Sequence, residues 1–156
     1  MKFISRLLQR GISLLEVMLS LSIIAIVLVM ATRYFHVASD GQSMNQVREQ
    51  IGAVITALQN YNPGSDDFTA LGSDGTTVLY EAGFLAQSSD LVVTGSGEST
   101  MAVLKNPWGS VISITGNVNG AIVATTFPRA SFCTEVAANF EGATCSTGTN
   151  FSLTIR

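Results

Sequence analysis

The chain has 156 residues, of which 47% are apolar and only 12% charged, with a formal net charge of −3. That is one domain's worth of protein, and its charged share is half the ~25% of an average soluble chain. A largely disordered chain and a basic nucleic-acid binder are both excluded.

The charge is unevenly placed. Met1–Gly11 carries Lys2, Arg6 and Arg10 and no acid, giving +3, while the remainder carries five basic and eleven acidic side chains, giving −6. Next comes an apolar run. Val17 to Thr32 is sixteen residues without a charge, and Ile12 to Ala31 is twenty residues, enough for ~30 Å of helix and hence for a bilayer crossing. A secretory signal has a shorter apolar core followed by its cleavage site; here the basic stub ends in Gly11 and the long run follows. The positive-inside rule places the stub in the cytoplasm and the rest outside, with Arg33, Tyr34 and Phe35 as an outer-interface anchor. Glu16 stands out, because a carboxylate within a spanning segment costs on the order of 3 kcal/mol near the bilayer centre and marks function by default. Spacing alone leaves a second reading open: Ser13-x-x-Glu16 fits a helix-start capping box, and an acid in the first turn suits the helix dipole.

Gly11-Ile12-Ser13-Leu14-Leu15-Glu16-Val17, behind a basic leader and ahead of an uninterrupted apolar helix, resembles the prepilin motif of type IV pilins and type II secretion pseudopilins. The resemblance covers residues 6–35 strongly and the rest more weakly. It implies cleavage by a prepilin peptidase after Gly11, N-methylation of the new N-terminal Ile12, and a role in assembly for Glu16, which would face the N-terminal amine of a neighbouring subunit. It also implies a pilin fold of α+β class: a long N-terminal helix, apolar and then amphipathic, packed on a small antiparallel sheet. The corresponding division is a cleaved leader (1–11), the helix (12–60) and a globular head (61–156). Many type IVa pilins have a Pro partway along the mature helix. Arg33 stands at that position, and no Pro precedes Pro63.

Past the membrane, Met44, Val47, Ile51, Val54, Ile55 and Leu58 recur at helical spacing, with Gln46, Arg48, Glu49, Gln50 and Gln59 on the other face. Asn60-Tyr61-Asn62-Pro63-Gly64 is a stop signal, so Ile12 to Asn60 would make about 73 Å of helix. Residues 61–110 read as loop-rich, with one short helix from Thr76 to Leu85 and clear loops at Gly72–Gly75 and Gly95–Gly97. Asn106-Pro107-Trp108-Gly109 is a turn ahead of a hairpin, Val111–Thr115 and Ala121–Phe127, joined by a five-residue loop over Gly116–Gly120. Ser131 is placed to cap a short helix through Phe140, and Phe151–Ile155 alternates as a final strand. The turn before the hairpin is similar to the turn before the sheet in pilins and pseudopilins, and the Cys-bearing helix followed by a last strand is more similar to the type IVb arrangement.

Cys133 and Cys145 are an even pair in the exported part, which favours a disulfide over two buried thiols. In the pilin family such a pair bounds the surface-variable D-region, so the resemblance implies that Thr134 to Thr144 is exposed. His36 is the sole histidine and has no acid or Ser partner by spacing. Trp108 reads as a turn-packing residue, and Asp66-Asp67 as a solvated loop pair. Gly72–Gly75 lacks the acid spacing of a calcium loop. No phosphate loop, nucleophile elbow or dinucleotide motif is present, so no catalytic residue, metal or cofactor is expected.

Three functional readings follow. The first is the subunit of a type IV pilus, supporting adhesion, aggregation or cell-to-cell DNA transfer. The second is a type II secretion pseudopilin, and the third a monomeric membrane-anchored periplasmic domain. The third does not account for Gly11, Glu16 and the charge-free helix together. The cysteine pair favours the pilus over the major pseudopilin, which typically relies on calcium in that region. The resemblance implies as partners further copies of the chain, the prepilin peptidase, the inner-membrane assembly machinery and an outer-membrane secretin. Its localisation would be the inner membrane as prepilin and the cell surface after assembly.

Overall fold

The computed structural model describes residues 14–95, 97 and 100–156. Residues 1–13, which include the expected leader 1–11, Ile12 and Ser13, lie outside the described residues. The chain divides into two compact units between Asp40 and Gly41. A 48-residue helix, α1 (Leu14–Tyr61), is followed by a six-stranded antiparallel sheet, the α+β arrangement expected of a pilin.

In the first unit, residues 14–39 are all exposed. The exposed large side chains include Leu19, Leu21, Ile23, Ile24, Ile26 and Leu28, each 53–59% accessible.

In the second unit the helix becomes one-sided. Met44, Val47, Ile51, Val54, Ala57 and Leu58 are buried, and Ile55 is only half-buried. Ala57, three residues beyond Val54, completes the stripe. The helix ends because Asn62 precedes Pro63, and a residue before proline is pushed out of the helical region. Gly64 then turns the chain at a φ of 79°.

The strands are β1 (Leu91–Thr94), β2 (Met101–Lys105), β3 (Val111–Asn117), β4 (Gly120–Thr126), β5 (Ala143–Ser146) and β6 (Asn150–Ile155), in the order β1-β2-β3-β4-β6-β5. The inner face follows from period-two alternation. Leu91, Leu104, Ile112, Ile114, Val123, Phe151 and Leu153 meet the helix stripe in one hydrophobic core. Two further helices, α2 (Gly75–Glu81) and α3 (Ala130–Ala137), lie in the connections.

Several boundaries differ from the sequence reading. The stretch 61–110 is less loop-rich than expected, because β1 and β2 form a hairpin around Gly95–Gly97 with Leu91 opposite Leu104 and Val92 opposite Val103. The helix expected from Thr76 to Leu85 stops at Glu81, and Gly83 reverses the chain at a φ of 79°. Leu79 is buried, whereas Val78 and Leu85 are half-buried. The five-residue loop of the central hairpin shrinks to Val118-Asn119, since Gly116 and Asn117 pair with Ala121 and Gly120. The Asn119 backbone N–H donates to Asn117 Oδ1 at 2.9 Å, which fixes the tight turn. Ser131 does not cap α3. Arg129 is the N-cap residue, in extended geometry and without a side-chain cap bond, and Ser131 falls inside the helix. Lastly, strand β5 lies between Phe140 and Phe151, where the sequence reading assigned no element.

Candidate assembly and processing site

Between Val17 and Thr32 the hydroxyl groups of α1 are satisfied by the helix's own carbonyls. The Ser20 hydroxyl donates to the Val17 carbonyl at 2.9 Å, that of Ser22 to Met18 at 2.8 Å and that of Thr32 to Val29 at 2.9 Å. Back-bonding of this kind satisfies the three hydroxyl donors between Val17 and Thr32, as hydrocarbon requires. By length and composition α1 is long and apolar enough to cross a membrane.

Against that background Glu16 is the only acid of the first turn, fully on the surface of the helix. Among the described residues it has no hydrogen-bond or ion-pair partner. Gly11, Ile12 and Ser13 lie outside the described residues, so the cleavage position, the methylation site and the Ser13 capping partner are not placed by the structure. His36 is exposed and meets the Phe35 ring edge-on at 6.3 Å.

The head fixes its helices to its sheet with polar clamps from residues that the sequence reading placed only on the face opposite the apolar stripe. Gln46 Nε2 donates to the Asp90 carboxylate at 2.9 Å, and Gln50 Nε2 to the Lys105 carbonyl at 3.1 Å. Arg48 pairs with Glu135 of α3 at 2.8 Å, with side chains 28% and 60% exposed. In water such a pair is worth at most about 1 kcal/mol, so it orients α3 more than it stabilises it.

Cys133 and Cys145 form a disulfide that joins α3 to the edge strand β5, with Cα atoms 6.0 Å apart. The bounded segment is not uniformly exposed. Thr134, Glu135, Ala138, Asn139, Glu141, Gly142 and Thr144 face solvent, but α3 turns Val136 fully into the core.

Two residues carry more structure than their spacing suggested. Asn106 is 3% exposed. Its Oδ1 accepts from the Trp108 and Ser110 backbone N–H groups at 3.1 and 2.9 Å, and its Nδ2 donates to Thr125 Oγ1 at 3.2 Å and the Thr126 carbonyl at 3.1 Å. One side chain thus folds the turn over 106–110 and pins it to β4. Asp67 accepts from the Thr69 backbone N–H at 3.0 Å and the Thr69 hydroxyl at 2.7 Å, holding the 3-10 turn Thr69–Leu71. Those bonds to its charged form hold the Asp67 carboxyl below the ordinary aspartate value. Its neighbour Asp66 is exposed, as expected of a solvated loop residue.

Trp108 packs at the end of the turn. It stacks on Phe132 at 5.3 Å and meets Phe127 edge-on at 5.6 Å, while the Arg129 guanidinium lies 5.1 Å over the other partner, Phe132. Among the described residues no cluster of three or more metal-ligating side chains occurs.

Residues 6–32 match the family model described as the prokaryotic N-terminal methylation motif, the signature of type IV prepilins and pseudopilins. No curated protein and no solved structure matches the chain.

Proposed function

We propose that the chain is the structural subunit of a type IV pilus, of IVb-like character. It is cut by prepilin peptidase after Gly11, N-methylated at Ile12, held in the inner membrane as prepilin and then polymerised through its N-terminal helix into a surface filament that emerges through a secretin. One observation carries this reading. The methylation motif over residues 6–32 runs into a helix half whose side chains are exposed throughout and charge-free from Val17 to Thr32. Such a surface must be covered either by lipid or by other apolar helices, and a filament supplies the second after the membrane has supplied the first.

Glu16 has a specific task in this account. After cleavage Ile12 carries a positive amine into an apolar filament core. An unpaired buried charge there is strongly unfavourable, and a carboxylate one turn along the helix of a neighbouring copy offsets it. The disulfide-tied α3–β5 segment supports the pilus over a pseudopilin. Adhesion, aggregation or cell-to-cell DNA transfer would be the filament's work. The test is Glu16→Ala followed by counts of sheared filaments. The variant should be processed and inserted but enter filaments poorly; wild-type filament numbers would contradict the proposal.

A further inference from the structure

The head carries a groove of about 470 Å³ between the second half of α1 and the segment leading into β1. Its floor is the core itself, Val54, Ala57, Leu91 and Leu104, and its walls include Ala53, Ala86 and Phe84. None of the twelve lining residues is charged, although the exported chain carries eleven acids against five bases. Phe84 stands on the lip, 41% exposed, braced edge-on against Tyr61 at 5.9 Å. A concave, uncharged strip with small residues on its walls suits an apolar helix whose side chains enter at i, i+3 or i+4, and i+7.

We infer that this groove seats the apolar helix segment Val17–Thr32 of a second copy of the chain. The inference rests on the filament reading and deepens it by naming where on the head a neighbour's helix is received. Two observations select the occupant. The segment is sixteen residues without a charge, and, unlike the longer uncharged run 106–128, whose Ile112, Ile114, Val123 and Phe127 are buried, its large apolar side chains stand 43–63% exposed in one copy. An uncharged groove also avoids the mutual repulsion of identical acidic heads, which any charged contact between copies would have to overcome. A charged or phosphate-bearing partner finds no counter-charge in the lining. The contact is heterologous, one surface of the head against a different surface of the neighbour, so it can repeat into an open helical filament.

Phe84→Glu places a charge on the lip. It should lower filament yield at least tenfold while leaving leader cleavage and disulfide formation unchanged. Ala53→Glu, on an exposed wall position with no packing to lose, keeps the test open where the Phe84 variant does not accumulate. Val92→Glu is the matched control: 44% exposed, and not among the lining residues. Wild-type filament yield in both groove variants, or an equal loss in Val92→Glu, would overturn the inference. Placement is read directly by Ala86→Cys carrying a thiol-linked benzophenone, since both native cysteines are tied up in the disulfide. Irradiated filaments should give adducts to a peptide within residues 14–37 of another copy. Adducts confined to head peptides, or intact filaments with no inter-copy adduct, would overturn the groove assignment and leave the filament reading standing. A wild-type chain that is processed but never found in filaments would instead remove the filament reading itself.

Discussion

Replacing Asn106 with Ala removes four hydrogen bonds from one nearly buried side chain. At ~1 kcal/mol net for each bond the gross loss is ~4 kcal/mol. The Trp108 and Ser110 N–H groups lie in a half-buried turn, where water can recover part of their loss. The Thr125 hydroxyl is 5% exposed and cannot be re-solvated. The expected destabilisation is therefore about 3 kcal/mol, a large fraction of the 5–15 kcal/mol of a typical domain. Urea denaturation followed by tryptophan emission measures it, because Trp108 is the only tryptophan and sits in the turn that Asn106 organises. Asn106→Asp sharpens the test. It keeps both acceptor bonds, loses both donor bonds and buries a carboxylate, so at neutral pH it should be at least as damaging as Ala and should recover as the carboxyl protonates. A loss under ~1 kcal/mol for Asn106→Ala, or an Asp variant as stable as wild type at neutral pH, would refute the role given to this side chain.

Further outcomes follow from the same geometry. A Cβ on Gly116 would overlap the Phe68 carbonyl oxygen and come within 2.8 Å of Leu71 Cβ; Gly116→Ala should push the 3-10 turn off β3 and cost about 1–3 kcal/mol, read as a drop in urea midpoint. Replacing both cysteines with Ala opens a loop closed over a sequence separation of 12, worth ~3 kcal/mol by chain entropy; hydrogen exchange should show β5 amides losing protection before those of β3 and β4. Asp67 has a depressed carboxyl, so its contribution is present above the unfolded-state value and is lost as pH falls through the folded one. Acid should thus loosen residues 65–71 selectively in wild type, and Asp67→Asn should abolish that pH dependence.

The membrane-type helix and the architecture were legible because each rests on a long periodic signal. The apolar run, the stripe from Met44 to Leu58 and the alternation in Phe151–Ile155 all extend over enough residues for the period to show. The missed strands are short. β1 and β5 have four residues each, too few for alternation to stand out, and β5 is held by its pairing with β6 and its disulfide more than by its own composition. A hairpin signal was available in Leu91–Thr94 and Ala102–Leu104 flanking a glycine-rich turn. The bonds that Asn106 donates to β4 and the Gln46, Arg48 and Gln50 clamps were not legible, because their partners lie 19 to 87 residues away along the chain. The motif around Gly11 and Glu16 was readable for the opposite reason. Its whole signal lies in consecutive residues.

The central claim is that the chain matures as a prepilin, and the mass and sequence of the N-terminus of the protein recovered from the cell surface test it most directly. The account predicts a chain that begins at Ile12, heavier by one methyl group on its amine. A chain that begins at Met1, or one cut beyond the apolar run, would contradict it.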